Sequence, residues 1–241
     1  MNKPLSIQIF VVLLSLSFVT NSAALPCHEV VGYYAGWKWY KRNKLVNPET
    51  IDYSKYTIIN YAFFKPLEDG TVIEGDAWAD KNILLGVESK KAGSALNEIK
   101  SSLVYQAHLN DVKVIASVGG WTYSSVFPQI AADPAKRKQF AVSCIQLLKK
   151  YNLDGIDIDW EYPGHKAHNG TLDDKQNFTL LLRILKVYLD EYSVAINRKM
   201  YLTAAFGPAP NHMEQIEWDQ VVPLLDIVNL MSYNYYGAWD P

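Results

Sequence analysis

The chain has 241 residues, 49% of them hydrophobic and 20% charged, enough apolar material to bury the core of one domain. A formal net charge of -2 without any basic block argues against a nucleic-acid partner, while 7 Trp and 16 Tyr lean toward flat, hydroxylated ligands. No internal repeat, low-complexity run or flexible linker divides the sequence, so a one-domain organisation is expected.

The amino terminus reads as an export signal. Lys3 supplies the positive start, Ile7 to Val19 an apolar run, and Ser22-Ala23-Ala24 a small-residue cleavage site. Residues 1–24 are therefore expected to be removed, leaving a secreted, extracellular protein that begins at Leu25 and is free of the membrane; an uncleaved anchor is the alternative. In an oxidising compartment, Cys27 and Cys144 either pair or remain two buried thiols. In a eukaryotic source, Asn169-Gly-Thr and Asn177-Phe-Thr would be glycosylation sequons. From residue 29 onward, runs rich in β-branched and aromatic residues predict strands over 29–36, 56–64, 113–118, 155–161, 201–206 and 227–233. Segments of helical period predict helices over 135–150 and 176–192, and the stretch 76–110 a loop and one helix. Alternation of strand and helix points to an α/β fold of βα units around a parallel sheet, with about six units present.

One predicted strand is anomalous. Asp154-Gly-Ile-Asp-Ile-Asp-Trp-Glu161 places four acids within eight residues, inside an otherwise apolar run. Alternate strand residues share a face, so Asp157, Asp159 and Glu161 project one way over roughly 13 Å, while Ile156, Ile158 and Trp160 project the other, toward covering helices. Three carboxylates on one face repel and lose hydration, so at least one is expected to hold a proton near neutral pH. Carboxylate acid–base chemistry leads on these grounds; acids paired to Lys or Arg, or a metal-binding cluster, are the alternatives. Asp154 has the opposite parity and reads as structural. His165 and His168 form a lone HxxH and read as surface residues, so neither a metal nor another cofactor is expected.

The same stretch resembles the DxxDxDxE signature of glycoside hydrolase family 18, the chitinase family, and Ser117-Val-Gly-Gly120 resembles its SxGG motif. Gly32-Tyr-Tyr-Ala-Gly-Trp37, Tyr61-Ala-Phe63 and Met231-Ser-Tyr233 extend the similarity from about Glu29 to Pro241. The resemblance implies a (β/α)8 barrel of TIM type, with reacting groups at the carboxyl ends of the strands, and a catalytic domain over 25–241. Only about six of its βα units are present, so the resemblance implies a truncated or fragmentary sequence, and whether this chain folds alone stays open.

It further implies an endo-acting chitinase that cleaves β-1,4 linkages between N-acetylglucosamine units by substrate-assisted retaining catalysis, acting on chitin or chito-oligosaccharides as a monomer. In that scheme Glu161 protonates the glycosidic oxygen, Asp159 holds the acetamido N–H, Asp157 shares a proton with Asp159, and Tyr233 hydrogen-bonds the acetamido oxygen. Trp37, Phe63, Trp121, Tyr162 and Met231 would line the sugar cleft, and Gly119 and Gly120 would let backbones approach beneath it. Asn234 stands where the family motif has aspartate, keeping the shape while losing a charge. The alternatives are a non-catalytic chitin-binding lectin, which the family also contains, and an endo-N-acetylglucosaminidase acting on N-glycans.

Overall fold

The computed structural model describes residues 28–41, 44–86 and 101–234. The export signal and Cys27 lie outside them. Strands β1 (Val31–Ala35), β2 (Ile58–Pro66), β3 (Val72–Glu74), β4 (Lys113–Gly119), β5 (Gly155–Asp159), β6 (Tyr201–Phe206) and β7 (Ile227–Leu230) form one sheet. Six of them run parallel in the order β1-β2-β4-β5-β6-β7, and β3 pairs antiparallel with β2. Each parallel strand lies beside its predecessor in the chain, without the reversal of order that marks a doubly wound sheet. This is the wall of a partial (β/α) barrel, as the family resemblance implies.

The six predicted strands are all present, and their ends carry the corrections. The ladder stops at Asp159 rather than at residue 161, and at Leu230 rather than at residue 233, so Glu161 and Tyr233 follow their strands instead of ending them. The stretch 76–110 holds two described helices rather than one, α1 (Ala77–Leu85) and α2 (Leu103–Leu109). Strand β3 is an addition: three residues are too few for a period to register.

The covering helices follow from capping and apolar spacing. Short α3 (Phe127–Ala132) leads into α4 (Pro134–Tyr151), which has proline at its first position. Asp133 caps α4 by accepting from the amides of Ala135 and Lys136, and left-handed Asn152 ends it. Helix α5 (Asp174–Ile196) buries Phe178, Leu181, Leu182, Leu185 and Leu189, the stripe expected from the sequence. Two short helices, α6 (Pro210–Met213) and α7 (Trp218–Val221), complete the described set. Among the described residues no helix is long and apolar enough to cross a membrane. Cys144 is a buried free thiol on α4.

The core lies between the outer face of the sheet and these helices. Trp160, just beyond β5, is 2% exposed; it stacks on Phe127 with ring centroids 5.3 Å apart and meets Phe178 edge-on at 5.8 Å. Trp160→Ala is therefore expected to lower unfolding stability by about 3–5 kcal/mol, measured by denaturant titration. A loss under about 1 kcal/mol would show that this wall of the core is not what anchors the adjoining acid.

Candidate active site

The inner face of β5 carries the acid row, and its neighbours explain why a buried strand tolerates it. Asp157 is fully buried, yet both of its carboxyl oxygens are saturated. Tyr33 on β1 and Ser117 on β4 donate to Oδ2 at 2.9 and 2.8 Å; Thr203 on β6 and Asn229 on β7 donate to Oδ1 at 2.5 and 3.2 Å. Asn229 also reaches the Tyr33 hydroxyl at 3.4 Å, so β1 and β7 meet through side chains across the interior. Burial raises the pKa of Asp157, and the four donors oppose that rise by favouring the ionised form.

Asp159 has the opposite balance. It is 3% exposed, and its Oδ1 is buried without a hydrogen-bond partner among the described residues. Burial, then the charges of Asp157 and Glu161, push its pKa well above the usual carboxylate range. Of the two carboxyls, Asp159 is the one whose surroundings more strongly favour the protonated form. Glu161 is also raised by burial, against the opposing effects of the Tyr162 hydroxyl, the Trp121 backbone N–H and the charge of His168. A carboxyl whose burial strengthens its hold on the proton, beside a second carboxyl raised further, is equipped for proton donation.

Backbone geometry sets these groups at the strand ends. Gly119 has φ +116°, and a Cβ there would lie 2.3 Å from the carbonyl oxygen of Asp159. Gly120 has φ +74°, and a Cβ there would lie 2.6 Å from the Phe63 ring; its N–H donates to that same Asp159 carbonyl at 2.8 Å. Both glycines are thus close-approach positions, as read from the sequence. Gly119→Ala should cost about 1–3 kcal/mol in backbone strain alone, with further loss as β4 and β5 separate. Equal melting temperatures for wild type and variant would refute that close approach. Ser124 accepts from the Glu161 N–H at 2.8 Å.

The predicted sugar-cleft residues fall into separate groups. A bulge in the β2–β4 pairing between Ala62 and Phe64 re-aims Phe63, whose ring stacks on Trp37 at 5.5 Å and 10°. Trp37 is 54% exposed, and with Phe63, Tyr40, Asp76, Asp80 and Tyr123 it lines a cavity of about 370 Å³ whose wall includes none of the row's acids. Trp121, 52% exposed, stands on the other flank against His168. Tyr162 stacks on His212 at 3.8 Å and donates to Glu161; its own pKa is pushed up to about 12, by burial first. Tyr233 is within the electrostatic reach of Asp159 and Glu161, which with burial raise its pKa. Met231 is half-buried and donates its N–H to the Phe206 carbonyl at 2.9 Å. Asn234 is exposed, with φ +60°, a conformation asparagine tolerates better than most residues.

Asp154 is structural: it accepts from the Val114 N–H at 2.8 Å and from His108 Nε2 at 2.7 Å. Tyr33, Thr203, Asn229 and Ser124 were given no role in the sequence, and His165 and His168, expected at the surface, are half-buried, with His168 packed on Trp121. For Thr203 and Asn229 a signal existed, since each is a polar residue in an apolar strand, as the acids are. Among the described residues, no three His, Cys, Asp or Glu side chains are grouped to hold a metal ion.

Known proteins share this arrangement. Chitinase A1 of Niallia circulans is 32% identical over 269 aligned residues, covering 98% of this chain and 38% of its own length. Chitinase 1 of Aphanocladium album is 34% identical, covering 86% of this chain and 48% of its own length. The structure of chitinase ChiA74 from Bacillus thuringiensis superposes with a TM-score of 0.76 at 29% identity, over 88% of this chain and 40% of that one. The chain thus spans less than half the length of these relatives. The family model described as glycosyl hydrolases family 18 matches residues 29–241, which takes in every strand and every acid of the row. With barrel order, acid row and sequence match in agreement, the chain belongs to glycosyl hydrolase family 18.

Proposed function

We propose that this chain carries the acid-bearing part of a secreted, monomeric, endo-acting chitinase that cleaves β-1,4 linkages between N-acetylglucosamine units with substrate assistance. The observation that carries the reading is the acid row: Glu161 and Asp159, both raised by burial, with Asp157 held by four donors. Glu161 gives its proton to the glycosidic oxygen as the C–O bond breaks. The carbonyl oxygen of the sugar's own 2-acetamido group bonds to the anomeric carbon, giving an oxazolinium ion. Asp159 accepts the acetamido N–H at its unpartnered Oδ1 and, on passing its proton to Asp157, offsets the positive charge. Tyr233 holds the acetamido oxygen. Water then bonds to the anomeric carbon as the bond from the acetamido oxygen breaks, giving its proton to Glu161, and the two successive inversions retain the configuration.

Trp37 and Phe63 on one flank, and Trp121 on the other, offer ring faces to the apolar faces of sugars. The chitinases named above support the substrate class, and the pattern of residues 1–24 supports secretion. Incubation with the N-acetylglucosamine hexamer tests the reading. Internal cleavage to dimers, trimers and tetramers is expected; binding without cleavage would favour a lectin.

The site also predicts a pH effect at Asn234. An aspartate there would set a negative charge near the acid row and strengthen the hold of Glu161 on its proton. The alkaline limb of the kcat–pH profile reports loss of that proton. It is expected to lie higher in Asn234→Asp than in wild type. An unmoved or lower limb would show that position 234 does not tune the acid through charge.

A further inference from the structure

One cluster of titratable side chains takes no part in the chemistry above. His165, His168 and His212 gather with Trp121 and Tyr162 around the loop after β5. Within it, His168 has a defined relation to the acid. Its Nδ1 lies 2.6 Å from the main-chain carbonyl oxygen of Glu161. A carbonyl only accepts, so Nδ1 carries the hydrogen, and in the neutral ring Nε2 is the basic nitrogen. The same ring meets the Trp121 indole edge-on, centroids 4.4 Å apart at 60°, and the Trp121 backbone N–H in turn donates to the Glu161 carboxyl.

Glu161 is therefore gripped at three places. Ser124 holds its N–H, His168 holds its C=O, and Trp121 and Tyr162 hold its carboxyl. We propose that His168 is a positioning residue for Glu161: its Nδ1–H fixes the main chain of the acid and its ring braces Trp121. The inference rests on the reading of Glu161 as the acid. Positive charge on the His168 ring favours the Glu161 carboxylate, the form that must receive a proton from water in the second step. The titratable groups around the ring are Glu161 and Tyr162 after β5, Lys166 and His165 in its own loop, with the His165 ring 5.3 Å away, and on α6 His212, which faces Tyr162 and feels the charge of His165.

The test follows the Glu161 carboxyl itself in the full chain, by NMR titration of ¹³C-labelled glutamate, with Glu161→Gln to locate the resonance, and measures chito-oligosaccharide kinetics in parallel. His168→Asn keeps an N–H near the place of Nδ1 and cannot be charged. It is expected to raise the titration midpoint of Glu161 while holding kcat within about threefold of wild type. His168→Leu keeps bulk and loses the donor. It is expected to lower kcat about tenfold, the equivalent of one hydrogen bond, with KM within about twofold. An unmoved midpoint in His168→Asn, or a kcat that falls equally in both variants, overturns the proposal. A wild-type chain that cleaves nothing would instead sink the reading of Glu161 as the acid, while the titration still decides whether His168 is coupled to it.

Discussion

Glu161→Gln is expected to lower kcat on chito-oligosaccharides by about 10²–10⁴, the range of a lost general acid, while leaving oligosaccharide affinity near that of wild type. The substitution is close to isosteric, and the amide still accepts from the Tyr162 hydroxyl and the Trp121 N–H that hold the carboxyl. What it removes is a transferable proton. Glu161 is placed to keep that proton because burial outweighs the three groups that favour ionisation. Turnover within about threefold of wild type would remove Glu161 from the chemistry, whatever its place in the row.

Asp159→Asn is the second large effect, with an expected fall in kcat of about 10²–10³. Asparagine can still accept an N–H, so substrate should bind. It cannot ionise, and so cannot offset the positive charge that forms on the sugar. The loss should fall on kcat rather than KM, because the charge exists only in the transition state and intermediate. A rise in KM at constant kcat would mean that Asp159 only holds substrate. Stability gives an independent sign. Burial beside two other acids raises the pKa of Asp159, so its neutral form is the one the fold prefers. In wild type this group's contribution to stability is present at pH below its unfolded pKa of about 4 and is lost as pH rises toward the folded value. Asp159→Asn should remove that part of the decline, flattening the melting temperature above about pH 4.

Much of this architecture was legible because a few signals were strong. Six β-branched, aromatic runs separated by helical periods were enough to specify a parallel sheet, and alternation placed Asp157 and Asp159 on one face of β5, with Glu161 just past its end. What escaped were contacts spanning long stretches of chain. Asp157 meets Tyr33, Thr203 and Asn229 at separations of 124, 46 and 72 positions, and only register brings these side chains under one carboxylate. Thr203 is the register partner of Asp157, as is Ser117 on the opposite side. Strand β3 escaped because its three residues borrow their shape from pairing with Phe64, Lys65 and Pro66 rather than from propensity. His168 escaped for a different reason. Its spacing from His165 invited a test for metal ligation, whereas its hydrogen bond goes to a main-chain carbonyl, for which sequence carries no marker.

The central claim is that the substrate supplies its own nucleophile while Glu161 supplies the proton. Hydrolysis rates of the N-acetylglucosamine pentamer and of the fully deacetylated glucosamine pentamer, compared under one set of conditions, test it most directly. The account predicts cleavage of the acetylated oligomer alone, because without the acetamido carbonyl no oxazolinium ion can form. Comparable rates on the two oligomers would contradict it and require a nucleophile from the protein or from water.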